Sequence, residues 1–349
     1  MDLSGVLARL SAAVIVLLLA GCGAVASETA VMLPTVAQTA LPPFVPTMAP
    51  PSPTPAPTLP TSTPLPTATA TATPSPTTTP SPAATETSIA TTTATPDPAQ
   101  QINGVPFSAI AVIPPDVADH VGQIAARGRE LGRNANAFSK LGDSGVLIES
   151  NLTRFDNGPS TLGPYEFLQP TVSHFAGSWA RYGVGARVAL TTIGTFDPQW
   201  ADAEWCLPGE HLLACEIRLH NPAVLVIRLG TNDGRAELYE RYMAQIIEFT
   251  IENGVIPVLG TKADRFEGDD SINAATRRLA ATYRVPLWDF DAVAATLPNR
   301  GLTDDQAHLT VYGRNDYTDP ETLQRGYPAS DLSTLVVLDA IRRIALTTP

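Results

Sequence analysis

The sequence predicts an α/β domain over residues 101–349: a doubly wound, parallel sheet with helices on both faces. Three observations predict it. Ala223-Val224-Leu225-Val226-Ile227-Arg228-Leu229 is a nearly continuous apolar run of strand length, the pattern of a strand buried on both faces. Arg235–Asn253 carries Tyr239, Tyr242, Met243, Ile246, Ile247 and Ile251 at helical spacing and meets Gly254 as a stop. Val255–Leu259 returns as a second apolar strand, so strand, helix and strand follow at the spacing of a crossover unit.

The chain before residue 101 differs in kind. Of 349 residues, 21 of the 22 basic and 30 of the 34 acidic ones lie beyond residue 100. Arg9 precedes an apolar core, Leu10 to Ala20, that is too short for an ordinary membrane-spanning helix. The segment closes on Leu19-Ala20-Gly21-Cys22. Residues 1–22 thus resemble a bacterial lipoprotein signal, which implies lipidation of Cys22, cleavage before it, and a membrane-anchored protein at the cell surface. The alternatives are a plain signal peptide or an uncleaved anchor. Residues 23–100 read as a disordered linker, because 34–98 alone hold 18 of the 33 prolines and 20 threonines with almost no charge. Such a stretch has no core to pack, and an extended polyproline-like chain of that length reaches up to roughly 200 Å.

Residues 101–349 are long enough for one large core. Val117–Leu131 has a helical pattern. Ala137–Leu141 reads as the first buried strand, and Gly142-Asp143-Ser144 as the turn that ends it. Tyr165–Leu168 and Val172–Trp179 read as helical, Arg187–Thr192 as a second strand, and 197–218 as irregular. After the strands and helix described above, Ile272–Tyr283 reads as helix, Pro286–Asp289 as a short strand and Leu332–Ala345 as a closing helix. In such sheets functional loops collect at the carboxyl ends of strands, which puts Ser144 and Asn232 on one edge. The acidic excess excludes nucleic acid as a partner, and a monomer is expected.

Three separated stretches carry reactive chemistry. A serine hydroxyl is a poor nucleophile near neutral pH and needs a base, which in turn needs an orienting group. His308 is the candidate base for Ser144, and Asp305 lies three residues before it, within reach of one ring nitrogen. An acyl-transfer site also needs donors for a developing oxyanion, for which the N–H of Ser144 and the amide of Asn232 are candidates. Gly142-Asp143-Ser144, Gly230-Thr231-Asn232-Asp233 and Asp305-Gln306-Ala307-His308-Leu309 resemble, in order and spacing, the blocks of the SGNH or GDSL-type serine hydrolases. The resemblance covers about 137–345. It implies a flavodoxin-like three-layer α/β/α fold, Ser144 as nucleophile, His308 as general base and acid, Asp305 as orienting carboxylate and Asn232 as oxyanion donor. It also implies no metal or organic cofactor, and an ester as substrate.

The sequence departs from the family pattern at three places. Ala189 stands where the family has a glycine whose N–H serves the oxyanion, with Gly185 and Gly194 as alternatives nearby. Gln306 stands where a glycine is common, and Gly145 follows the serine. The implied activity is hydrolysis of an O-acyl ester on a glycan, a lipid or a small molecule. The alternatives are an O-acyltransferase and a binding lipoprotein that keeps the fold without turnover. Asp143 and Asp233 read as structural, as do His120, His174, His211 and His220.

Cys206 and Cys215 sit nine apart in the domain. Export favours a disulfide between them, while Cys206, His211, Cys215 and His220 together are zinc-ligand types at a spacing unlike a standard finger. No Gly-x-Ser-x-Gly elbow surrounds Ser144, because Val146 takes the last position. No P-loop, dinucleotide fingerprint or His-Glu-x-x-His motif occurs.

Overall fold

A computed structural model describes residues 100–148, 150–158 and 160–347. The signal segment, its Cys22 and the linker up to residue 99 lie outside the described residues. No helix among the described residues is long and apolar enough to cross a membrane.

Five strands form the central sheet: β1 (Ala111–Val112), β2 (Asn134–Gly142), β3 (Pro222–Arg228), β4 (Ile256–Gly260) and β5 (Leu287–Trp288), in the spatial order β1-β5-β4-β3-β2. β2, β3, β4 and β5 run parallel, and β1 closes one edge antiparallel to β5. The apolar run at 223–229 is buried along its whole length, as its composition requires. Side-chain alternation along the strands feeds two separate cores. Phe138, Val224, Val226, Ile256 and Val258 face one layer with α1 (Pro115–Glu130) and Tyr327 to Ile341. Leu141, Leu225, Ile227 and Leu259 face the other, with α2 (Leu212–His220), α3 (Ala236–Glu252) and α4 (Ser271–Tyr283). This is the expected three-layer α/β/α arrangement.

The N-terminal segment folds back over the first of these layers. Asn103 (φ 50°) and Gly104 (φ 84°) make a tight turn between Gln101–Ile102 and Val105–Pro106, an Asn-Gly pair suited to left-handed backbone. The Asn103 amide reaches Thr296 Oγ1 and, 220 residues along the chain, the carbonyl of Leu323.

Four expectations are corrected. Arg187–Thr192 is not a strand. A single parallel bridge joins Ala186 to Gly142, after which Ala189 takes φ 59° and the chain turns into a short 3-10 segment, Ile193–Phe196. Gly185 allows this close approach, since a Cβ there would lie 2.7 Å from the Lys140 carbonyl oxygen. The helical reading of Val172–Trp179 shifts: Gln169–His174 is the helix, and turns follow it. The stretch 197–218 contains a helix, α2, whose first turn is capped by the His211 ring accepting from the Ala214 N–H at 3.3 Å. The closing helix α5 (Gly326–Ile341) begins six residues before Leu332 and is buried nearly throughout.

Candidate active site

β2 delivers the serine. Gly142 ends the strand where no side chain fits, because a Cβ would lie 2.3 Å from Val146 Cγ2 and 2.7 Å from the Arg228 carbonyl oxygen. Asp143 then caps a single helical turn, Ser144–Leu147, accepting from the Gly145 N–H at 2.9 Å. Its carboxyl is buried, and that burial raises its pKa despite this bond. Asp143 is thus a structural cap, as the sequence suggests.

Ser144 Oγ lies 2.9 Å from His308 Nε2, and His308 Nδ1 lies 2.6 Å from Asp305 Oδ2. A carboxylate facing Nδ1 fixes the ring proton there, which leaves Nε2 to accept from the serine hydroxyl. The loop that presents His308 is tied at its base by a bridge between Leu302 and Leu309 and by the Thr303 N–H donating to the His308 carbonyl at 2.8 Å. Inside the loop, Asp305 Oδ1 accepts from the His308 and Ala307 N–H groups, each at 2.9 Å, and from Thr303 Oγ1 at 2.7 Å. The His308 N–H first, then the Thr303 hydroxyl, the Ala307 N–H and the ring hold Asp305 well below the ordinary carboxylate range. Gln306 takes φ 57°, the left-handed backbone that a glycine would adopt without strain.

The edge beside β2 brings the Asn232 block to the segment after Ala186. Thr192 donates its N–H and its hydroxyl to Asp233, the latter at 2.6 Å. Burial raises the pKa of Asp233, and the Thr192 bonds oppose that rise. The Asn232 amide reaches the Leu190 carbonyl at 3.3 Å and Asp143 Oδ2 at 3.4 Å. Asn232 therefore bridges the serine turn and the segment that carries Ala189. The N–H groups of Ser144 and Ala189 donate to no other group among the described residues. Those of Gly185 and Gly194 are committed, to Glu216 Oε2 at 2.9 Å and to Thr191 Oγ1 at 3.3 Å.

Cys206 and Cys215 form a disulfide with Cα atoms 5.4 Å apart. The bond takes both sulfurs of the alternative zinc set, and the same two sulfurs dominate the one group of potential metal ligands found among the described residues, Cys206, Glu210 and Cys215.

Several residues that shape the site carry no motif. Glu216 is buried one residue after Cys215 and holds Gly185. Lys262 is buried with Asp264 and Glu267 in a cluster that also anchors Thr231 Oγ1 to Asp264 at 2.9 Å. A small cleft beside the serine turn is lined by Asp143, Gly145, Arg228, Thr231, Lys262 and Leu309. Arg228 could have been singled out in the sequence, as the one charge inside an otherwise apolar strand.

A doubly wound α/β sheet with a Ser–His–Asp hydrogen-bonded chain at its carboxyl edge is the class that fold and site define. No family model matches the chain, and no curated protein matches it. Among solved structures it is similar to a lipase/acylhydrolase from Enterococcus faecalis, at 14% identity and a TM-score of 0.39, over 61% of this chain and 99% of that one. It is similar to a GDSL-like lipase from Bacteroides thetaiotaomicron at 14% identity and a TM-score of 0.36, over 65% and 98%. An acetylxylan esterase from Geobacillus stearothermophilus matches at 14% identity and a TM-score of 0.34, over 61% and 94%. At these values function is read from the residues of this chain alone.

Proposed function

We propose that this protein is a serine ester hydrolase of the SGNH type, exported and held at the cell surface by a lipidated Cys22. The observation that carries the reading is the continuous Ser144–His308–Asp305 chain, and the N–H groups of Ser144 and Ala189 have no other partner among the described residues. Ser144 Oγ attacks the ester carbonyl as His308 Nε2 takes its proton. The oxyanion is met by the N–H groups of Ser144 and Ala189 and by the Asn232 amide, whose present contacts are long. Collapse expels the alcohol, which takes the proton from His308. Water, deprotonated by the same nitrogen, then attacks the acyl-serine, and the acid leaves as Ser144 regains its proton. Asp305 stays ionised throughout and stabilises the imidazolium. The chemistry uses no metal or organic cofactor. The substrate class is an O-acyl ester of a glycan, a lipid or a small molecule.

The left-handed backbone of Ala189 supports its role as third donor, because it keeps the conformation a glycine would take. Export and anchoring are supported by the signal-like residues 1–22 and by a disulfide suited to an oxidising compartment.

The test uses the full chain. Wild-type protein should hydrolyse nitrophenyl acetate and be labelled by a fluorophosphonate, and Ser144→Ala should lose both, with kcat falling by roughly 10⁴–10⁶. Folded wild-type protein that does neither is a binding protein instead. Acyl transfer to an added sugar outpacing hydrolysis would make it an acyltransferase. Cys22→Ser should move the protein from the membrane to the soluble fraction.

A further inference from the structure

Arg228 ends β3 directly beside Gly142, its register partner, and its side chain turns under the serine loop. The residue is only 8% exposed. Nη2 donates to the Gly145 carbonyl at 2.8 Å and Nη1 to Ser330 Oγ at 3.0 Å. The guanidinium lies over the rings of Trp288 and Phe290, 5.5 and 6.0 Å from their centroids. It forms no ion pair among the described residues. A desolvated cation without a carboxylate partner is a costly choice where an apolar side chain would pack, so its retention calls for a use.

The carbonyl it grips has a second donor. Tyr327 Oη donates to Gly145 O at 3.0 Å, and burial pushes that hydroxyl up to about 12, so it stays protonated over the working pH range. The Gly145 N–H is meanwhile held by Asp143. Both polar groups of Gly145 are thus pinned. A glycine has the least intrinsic backbone stiffness of any residue, and here it directly follows the serine. A Cβ on Gly145 would meet Asp143 Oδ1 tightly at 3.3 Å and Arg228 Nη2 at an ordinary 3.5 Å, so the same two side chains that hold its backbone also border the space beside it.

We propose that Arg228 and Tyr327 are positioning residues for Ser144: by gripping the Gly145 carbonyl they fix the backbone that carries both the attacking Oγ and the oxyanion N–H. The unpaired guanidinium also places positive charge beneath the turn where negative charge develops. Neither residue touches substrate. The charged groups facing Arg228 from its neighbours are Asp143 on the serine turn and Asp331 on α5. The inference rests on the ester-hydrolase reading.

The test is steady-state hydrolysis of nitrophenyl acetate by full-length wild-type, Tyr327→Phe, Arg228→Lys and the double variant, with melting curves for each. A misplacement of the nucleophile by about 1 Å costs on the order of 10²-fold, so Arg228→Lys is expected to lower kcat by up to that factor, and Tyr327→Phe by several-fold. KM should change by less than about 2-fold, as expected when only transition-state interactions are lost. The two losses should combine non-additively because both act through one acceptor. In Arg228→Ala, millimolar methylguanidinium should restore part of kcat, which a purely structural arginine would not predict. If Arg228→Lys does not fold, the isosteric Tyr327→Phe and the methylguanidinium rescue decide. Wild-type kcat in the folded variants, or losses confined to KM, overturn the proposal while leaving the hydrolase reading intact. A wild-type protein without esterase activity or fluorophosphonate labelling overturns both.

Discussion

Two residues carry left-handed backbone at positions where the resembled family uses glycine, Ala189 at φ 59° and Gln306 at φ 57°. A side chain in that region costs about 1–2 kcal/mol, and a glycine offsets part of the gain through its larger unfolded-state entropy. Ala189→Gly and Gln306→Gly should therefore each stabilise the fold by roughly 0.5–1 kcal/mol in urea unfolding. A loss of stability at Ala189 would mean that its methyl group packs usefully. Asp305 makes a different prediction. Its carboxylate fixes the His308 tautomer, so Asp305→Asn should lower kcat by about 10⁴ with the fold retained, as is typical when the orienting acid of a triad is replaced. Asp331 is fully buried, accepting from the Leu152 N–H and the Asn315 amide, and burial raises its carboxyl to about 6. The folded state therefore binds this proton more tightly than the unfolded chain, whose carboxyl titrates near ~3.9. Its contribution to stability is largest below that value and falls as the pH rises towards about 6. Relative to Asp331→Asn, wild-type stability should decline across this window and be flat above it, whatever the constant offset between the two.

Among the elements, α2 links the disulfide to the site. Cys215 and Glu216 are adjacent on it, and Glu216 holds Gly185, which leads through the Ala186–Gly142 bridge to Ala189. The Cys206–Cys215 bond closes a short loop, for which chain entropy predicts about 2–3 kcal/mol. The Cys206→Ser/Cys215→Ser pair should show that loss in unfolding, with a fall in kcat as the Ala189 segment loosens. This helix was hidden in the sequence because its apolar residues, Leu212, Leu213 and Ile217, span too few turns to establish a period beside an irregular loop. The opposite error at Arg187–Thr192 has a related cause. Val188 and Leu190 lie two apart between Arg187 and Thr191, a spacing that suits a strand, but Val188 is exposed, and the chain leaves the sheet at Ala189. By contrast β3 and α3 were legible because burial on both faces, and on one stripe, leaves a long and regular pattern.

Over the whole molecule, the sequence reveals the residues proposed to carry the chemistry but not those that hold them. Ser144, His308 and Asp305 stand in short motifs whose spacing implies contact. Arg228, Tyr327 and Glu216 act through tertiary neighbours more than thirty residues away, for which no local pattern exists. The same is true of the N-terminal segment, which no periodicity marked. Ile102 and Ile110 are fully buried there, and full burial of such a side chain is worth about 1.5–3 kcal/mol. A chain beginning at Pro114 should therefore be several kcal/mol less stable than one beginning before Gln101, and its uncovered β5 edge should favour aggregation. That segment also sets an order of events. Asn103 must wait for Leu323, 220 residues further on, which at ordinary rates of synthesis takes roughly 10–40 s. The first piece of the domain to leave the ribosome thus completes its contacts only near the end of synthesis, and until then it remains within reach of proteases and chaperones.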